Sequence, residues 1–128
     1  MGIDVKKVPT SDYAEVKKVV QKYVDGIREG DVETCAQAFY PEAIYYGIDS
    51  GQLAGGNVST FLNFIENNGP APNVVANIDI MAITATMAVV RVDLENDSIG
   101  ADYNDYVTLM KSDQGWRIIS KAYHQFPL

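Results

Sequence analysis

The sequence predicts an α+β domain: three amino-terminal helices packed on a curved, mostly antiparallel β-sheet, together enclosing a cone. Two observations carry that prediction. Apolar residues recur at spacings of three and four through the first part of the chain, the period of an amphipathic helix. From about Val74 onward, β-branched and aromatic residues alternate with polar ones between turn residues, the period of a half-buried strand. A run of helices followed by a run of strands places the helices together on one face of the sheet.

Asp12 and Glu15 resemble a helix start, and Val16, Val19, Val20, Tyr23, Val24 and Ile27 form the apolar stripe of the first helix. Gly30 suits its left-handed end. Asp31 can cap a second helix with the stripe Val32, Cys35, Ala36 and Phe39, which Pro41 stops. Ala43 to Tyr46 predicts a brief strand, and Gly47 to Gly56 a glycine-rich loop. A third helix is expected near Asn57, carrying Phe61, Leu62 and Ile65 until Asn68-Gly69-Pro70 breaks it. Strands follow over about Val74 to Thr84, Met87 to Leu94, Ala101 to Lys111 and Trp116 to Phe126. The last two are joined by Ser112-Asp113-Gln114-Gly115, where Gly115 can take the positive φ of a tight hairpin turn.

With 128 residues the chain predicts a single domain over 1–128, with 1–11 as a leader. A formal charge of −7 opposes binding to nucleic acid or anionic membrane, both of which need clustered Lys and Arg. One cysteine, Cys35, allows no internal disulfide, and one histidine allows no multi-histidine metal site. No cofactor or metal is expected. The first residues lack the apolar core of a signal peptide, so the cytoplasm is the expected compartment.

The closing hairpin concentrates ionisable and aromatic groups on faces that should be partly buried, and a buried ionisable group needs a partner or a task. Asp105 shares a face with Tyr103, Val107 and Leu109, company that would desolvate its carboxylate and raise its pKa. The alternative is a salt bridge to Lys121 or Arg91. Strict alternation puts Trp116, Ile118, Ser120, Ala122 and His124 on one face of the last strand. His124 is then either a structural residue or a proton-transfer partner of Asp105. Tyr23 is either a core tyrosine or one that aims its hydroxyl at a ligand oxygen. Tyr45 and Tyr46 point to opposite sides, and Tyr46 is taken as the inward one. Asp105 and His124 are thus the candidate catalytic residues, and Tyr23, Tyr46, Tyr103 and Trp116 the candidate ligand-binding residues. Asp93 to Asp97 reads as a solvated turn, and Cys35 as a small core residue.

Tyr23-Val24-Asp25-Gly26-Ile27 with Gly30-Asp31, Phe39-Tyr40-Pro41-Glu42-Ala43, Gly51-Gln52-Leu53 and the Asp105 to His124 hairpin resemble the nuclear transport factor 2-like superfamily, with its cystatin-like fold. Within it the chain looks closest to the lumazine-binding-like family, across about Val19 to Pro127. Members commonly carry His where this chain has Tyr40. The first half is also similar to ketosteroid isomerase and SnoaL-like polyketide cyclases, through Val19-Val20-Gln21-Lys22-Tyr23-Val24 and Gly30-Asp31. That resemblance implies an oxyanion-holding role for Tyr23, yet it sets the isomerase's general base on Gly47, which has no carboxylate, with Asp49 two residues on. Steroid isomerisation is therefore not expected.

The expectation is a homodimer whose pocket binds a small, planar, largely apolar molecule. The alternatives are an acid–base enzyme of the isomerase or cyclase type and a dimerisation or accessory module.

Overall fold

The computed structural model describes residues 8–128, so the expected absence of a signal peptide concerns residues outside the described part, as does most of the leader. Helix α1 (Thr10–Glu29) begins two residues before Asp12 and ends at Gly30, whose φ of 66° is the left-handed cap expected. Asp12 is not at the cap. It is buried in the first turn and pairs with Lys111 at 3.1 Å, fastening the helix start to the sheet. Helix α2 (Val32–Ala36) is capped by Asp31, whose carboxylate accepts from the Thr34 N–H at 3.1 Å and its hydroxyl at 2.7 Å.

The chain then departs from the predicted order. Phe39 does not continue α2 but opens a long strand, β1 (Phe39–Asp49), which turns at Ser50-Gly51 into β2 (Gln52–Asn57). The segment Gly47 to Gly56, expected as a loop, is therefore mostly paired: Gly47 lies opposite Ala54, and Ile48 opposite Leu53. Pro41 is accommodated because the pairing of β1 shifts register between Phe39 and Ile44. Helix α3 (Val58–Asn68), capped by Asn57 through the Ser59 N–H at 2.8 Å, follows this hairpin and buries Val58, Phe61 and Ile65. Thus two paired strands precede the third helix where one brief strand and a loop were expected.

Strands β3 (Val75–Ile83), β4 (Met87–Glu95), β5 (Tyr103–Ser112) and β6 (Gly115–Gln125) fall within about two residues of expectation. Their order in the six-stranded sheet is β2-β1-β6-β5-β4-β3. Only β1 with β6 is parallel; the other neighbours are antiparallel. Gly115 has φ 86° at the β5–β6 turn. Tyr40 clasps this turn, its hydroxyl donating to the Met110 carbonyl at 2.9 Å and lying 2.9 Å from Ser112 Oγ.

The helices cover one face of the sheet. Val16 and Val20 of α1 pack with Val90, Val107, Leu109, Trp116 and Ile118 as a solid apolar layer. Farther along α1, Tyr23 and Ile27 stand over space that the sheet does not fill. The other face is open to solvent and carries Ile44, Tyr46, Ile48, Leu53, Tyr106 and Met110.

One irregularity in β6 decides which side chains reach that space. Leu109 pairs with Ile118 but Thr108 pairs with Ser120, so Ile119 is an extra residue with no partner of its own. Alternation is broken there. Trp116 and Ile118 point inward before the bulge, and Lys121 and Tyr123 point inward after it, where strict counting expected Ser120, Ala122 and His124. Adjacent Ile118 and Ile119, two apolar residues where alternation allows one, are the trace of this bulge in the sequence.

Candidate functional site

A cavity of about 220 Å³ lies between the carboxy-terminal half of α1, α3 and the far ends of β1, β5 and β6. Its walls are mainly Tyr23, Tyr45, Phe61, Phe64, Leu94 and Tyr123, a set of rings and aliphatic groups. Ligand pockets commonly run ~300–1,000 Å³, so this one suits a compact ring compound.

Among the carboxyl and amino groups that line it, those of Asp105 and Lys121 are the most deeply buried. Asp105 is 1% exposed, and its Oδ2 accepts a 2.5 Å hydrogen bond from the Tyr23 hydroxyl. That hydroxyl comes from the α1 stripe because Tyr23 sits one helical turn beyond Val19 and Val20, on the buried side. Asp105 Oδ1 is also buried and has no hydrogen-bond partner. Native proteins rarely leave such an atom unsatisfied, since it costs about 1–3 kcal/mol. Burial raises the Asp105 pKa; the charge of Lys121 and the Tyr23 hydrogen bond oppose the shift without cancelling it. The Tyr23 hydroxyl is itself raised, by burial and then by Asp105.

Lys121 is 7% exposed, and its amine lies 3.8 Å from the ring centre of Phe61, with Tyr23 and Tyr123 each at 5.3 Å and Tyr45 at 5.9 Å. No ion pair within 4 Å holds it among the described residues, so the expected salt bridge to Asp105 does not form. Arg91, the other expected partner, pairs instead with Asp93 at 2.9 Å. Burial lowers the Lys121 pKa, with Asp105 opposing. The magnitudes agree with that direction: a ring-face contact is worth about 2 kcal/mol when desolvated, whereas burying an ammonium costs several.

Of the residues singled out from the sequence, the structure brings Tyr23, Tyr103 and Asp105 together on the cavity wall. Tyr103 presents its ring, while its hydroxyl donates to Asp97 at 2.6 Å. Asp97 is not part of a solvated turn. It is buried and also accepts from the Ile99 and Ala101 N–H groups, organising the β4–β5 loop at the cavity rim.

The other three lie elsewhere. His124 follows the bulge onto the solvent face, exposed and edge-on to Phe126 at 4.7 Å, on the side of the sheet away from the buried Asp105. Tyr46 is 43% exposed on that same face, and Tyr45 is the inward member of the pair. Trp116 belongs to the solid layer, inward but before the cavity, with its indole Nε1 unpartnered. Lys121 and Tyr123 take the places expected for others, and both were hidden by the bulge.

At Gly47, the position aligned with the isomerase base, a side chain has no room. An added Cβ would lie 2.5 Å from the Tyr123 ring and 2.5 Å from the Tyr123 carbonyl oxygen. Asp49 lines the cavity two residues farther along β1. Among the described residues, no group of His, Cys, Asp and Glu could hold a metal ion, and no helix is long and apolar enough to cross a membrane.

The fold agrees with comparisons to known proteins. A curated protein from Cladobotryum sp, named aldolase FrzH, is 29% identical over 122 residues, covering 95% of this chain and 98% of that one. A crystal structure of an NTF2-like protein from Shewanella baltica OS155 superimposes with a TM-score of 0.88 at 29% identity, over 95% of this chain and 99% of that one. Another NTF2-like protein, from Methylobacillus flagellatus KT, gives 0.88 at 30% identity, over 94% and 97%. Since the model of the family described as "Putative lumazine-binding" matches residues 11–124, from the first helix to the end of the last strand, the chain belongs to that family and to the NTF2-like superfamily.

Proposed function

We propose that the cavity binds a small, planar, largely apolar carbonyl compound and that Asp105, held by Tyr23, exchanges a proton with it. The observation that carries this reading is Asp105 Oδ1: buried, unpartnered and on the wall of an apolar chamber. A carbonyl oxygen placed there would satisfy it. Burial favours the protonated carboxyl, the form that can donate as charge develops on the ligand oxygen, and the dry walls strengthen that hydrogen bond. Tyr23 orients the carboxyl and shares the developing charge. Enolisation beside a carbonyl is the first step of aldol chemistry, and the relative named an aldolase supports this class over simple binding. The steroid isomerase route lacks its base, because the Tyr123 ring occupies the space beside Gly47.

The test is hydrogen–deuterium exchange at the α-carbon of cyclohexanone and cyclohexane-1,3-dione in D2O, followed by NMR with and without protein. Exchange should accelerate, and Tyr23→Phe should slow it about tenfold or more while the fold is kept. Binding without exchange would leave a binding module only, and absence of binding by any planar carbonyl compound would overturn the reading.

We propose also that a second copy of this chain covers the outer face of the sheet. Ile44, Tyr46 and Ile48 of β1, Ser120 and Ala122 of β6, and Tyr106 and Thr108 of β5 form a largely apolar surface, bordered beside Tyr106 by Arg91, whose charge Asp93 already holds. Sedimentation equilibrium should give twice the chain mass, and Ala122→Arg in the middle of the face should halve it.

A further inference from the structure

Lys121 takes no part in the proton exchange just described, and its placement is costly for a purely structural residue. A buried lysine with no ion-pair partner among the described residues, facing a cavity from between aromatic rings, is in the environment in which an amine is kept as a nucleophile. We propose that Lys121 forms a covalent imine with the carbonyl carbon of the bound compound, with Asp105 as the proton donor that expels water. This rests on the carbonyl reading of the cavity.

The steps balance without a further reactant. The neutral Lys121 Nζ adds its lone pair to the carbonyl carbon, the carbonyl oxygen gains a proton, and the nitrogen loses one, giving a carbinolamine. Asp105 delivers a proton to the departing hydroxyl, which leaves as water, and the nitrogen lone pair forms the C=N bond of the iminium. The Asp105 carboxylate, its own proton now in the released water, takes the α-proton, and the C–H electron pair forms the C=C bond of an enamine, a carbon nucleophile able to attack a second carbonyl group. Addition of water then reverses the sequence and frees the lysine.

The surroundings fit each step. Phe61, Tyr23 and Tyr123 exclude bulk water from the amine, and Asp105 and Lys121 share one chamber without the direct contact that would lock both as ions. Cys35 and Asp97 also act on the amine electrostatically; burial pushes the Cys35 thiol up to about 12, and the Asp97 carboxylate already accepts from Tyr103. Neither competes for the carbonyl.

The experiment treats the full chain with cyclohexanone and sodium cyanoborohydride at neutral pH, then maps the cyclohexyl adduct by peptide mass spectrometry. A single adduct on Lys121, formed at least about tenfold faster than on exposed lysines such as Lys17, Lys18 and Lys22, is the expected result. Lys121→Met, which keeps an unbranched chain among the rings, should abolish it, and Lys121→Arg should do the same. Adducts spread evenly over surface lysines, or none at all, would overturn the proposal on the unmodified protein, whatever the variants do. Binding of phenol, which cannot form an imine, is measured alongside by calorimetry. Phenol binding and α-exchange without a Lys121 adduct would defeat the imine while leaving the Asp105 reading intact, whereas loss of all three would defeat both.

Discussion

Replacing Asp105 with asparagine should lower the α-proton exchange rate about 10²–10⁴-fold and, at the same time, make the protein more stable at neutral pH. The first effect follows from removing the exchangeable proton while keeping the shape. The second follows from burial. Because the folded-state pKa of Asp105 is raised, the folded protein holds a proton that the unfolded chain has already released above the ordinary carboxylate range. That contribution to stability is whole below the unfolded pKa, declines as pH rises, and is gone once pH has passed the folded value.

Asparagine carries no charge at any pH, so its Oδ1 can still accept from Tyr23 without the desolvation cost. Lys121, deprived of the nearby carboxylate that opposes its downward shift, moves further toward the neutral amine instead of being stranded as a buried cation. Urea midpoints should therefore favour the variant by about 1–2 kcal/mol near pH 7 and by almost nothing near pH 4. A variant less stable than the parent at neutral pH would mean that Asp105 is a structural anchor.

Gly26→Ala should be the most damaging single-atom change among the helices. Elsewhere in a helix alanine is favoured over glycine by about 1 kcal/mol. Here an added Cβ would lie 2.5 Å from Cys35 Cβ, 2.7 Å from its Cα and 2.8 Å from its nitrogen. Two of those atoms are backbone and cannot swing aside, so α2 must be pushed off α1, at a cost of about 2–4 kcal/mol. The steric term wins over propensity. Since Tyr23 and Ile27 lie on either side of Gly26 and both line the cavity, ligand binding should weaken along with the urea midpoint. Unchanged or increased stability would show that α2 yields at no cost.

How much of this was legible in the sequence depends on whether local pattern or strand phase had the decision. The α1 stripe, the Asp31 cap, the Gly30 end and the Gly115 turn were readable because each is set by neighbours within four residues. The β1–β2 hairpin was not, because its glycines look like a loop until strands far away in the chain supply pairing partners. Within the site, Tyr23, Tyr103 and Asp105 came from uninterrupted periods of helix and strand. Everything after Ile119 was misplaced by one residue, which exchanged His124 and Ala122 for Lys121 and Tyr123. Tyr45 and Tyr46 differ only in parity, and Asp97 looks solvated until the fold folds Tyr103 and two amides onto it.

The unpaired Ile119 makes the chemistry of the chamber depend on how three residues of one strand are paired. Straightening the bulge with the residue count unchanged would turn alanine and histidine toward the guest and expel lysine and tyrosine to the exterior, whereas deleting Ile119 restores plain alternation and leaves lysine and tyrosine facing in. A homologue without the extra residue would present the same wall from an unbulged strand, and an alignment that moves the one-residue gap into the adjacent turn would instead assign the wall to the wrong residues.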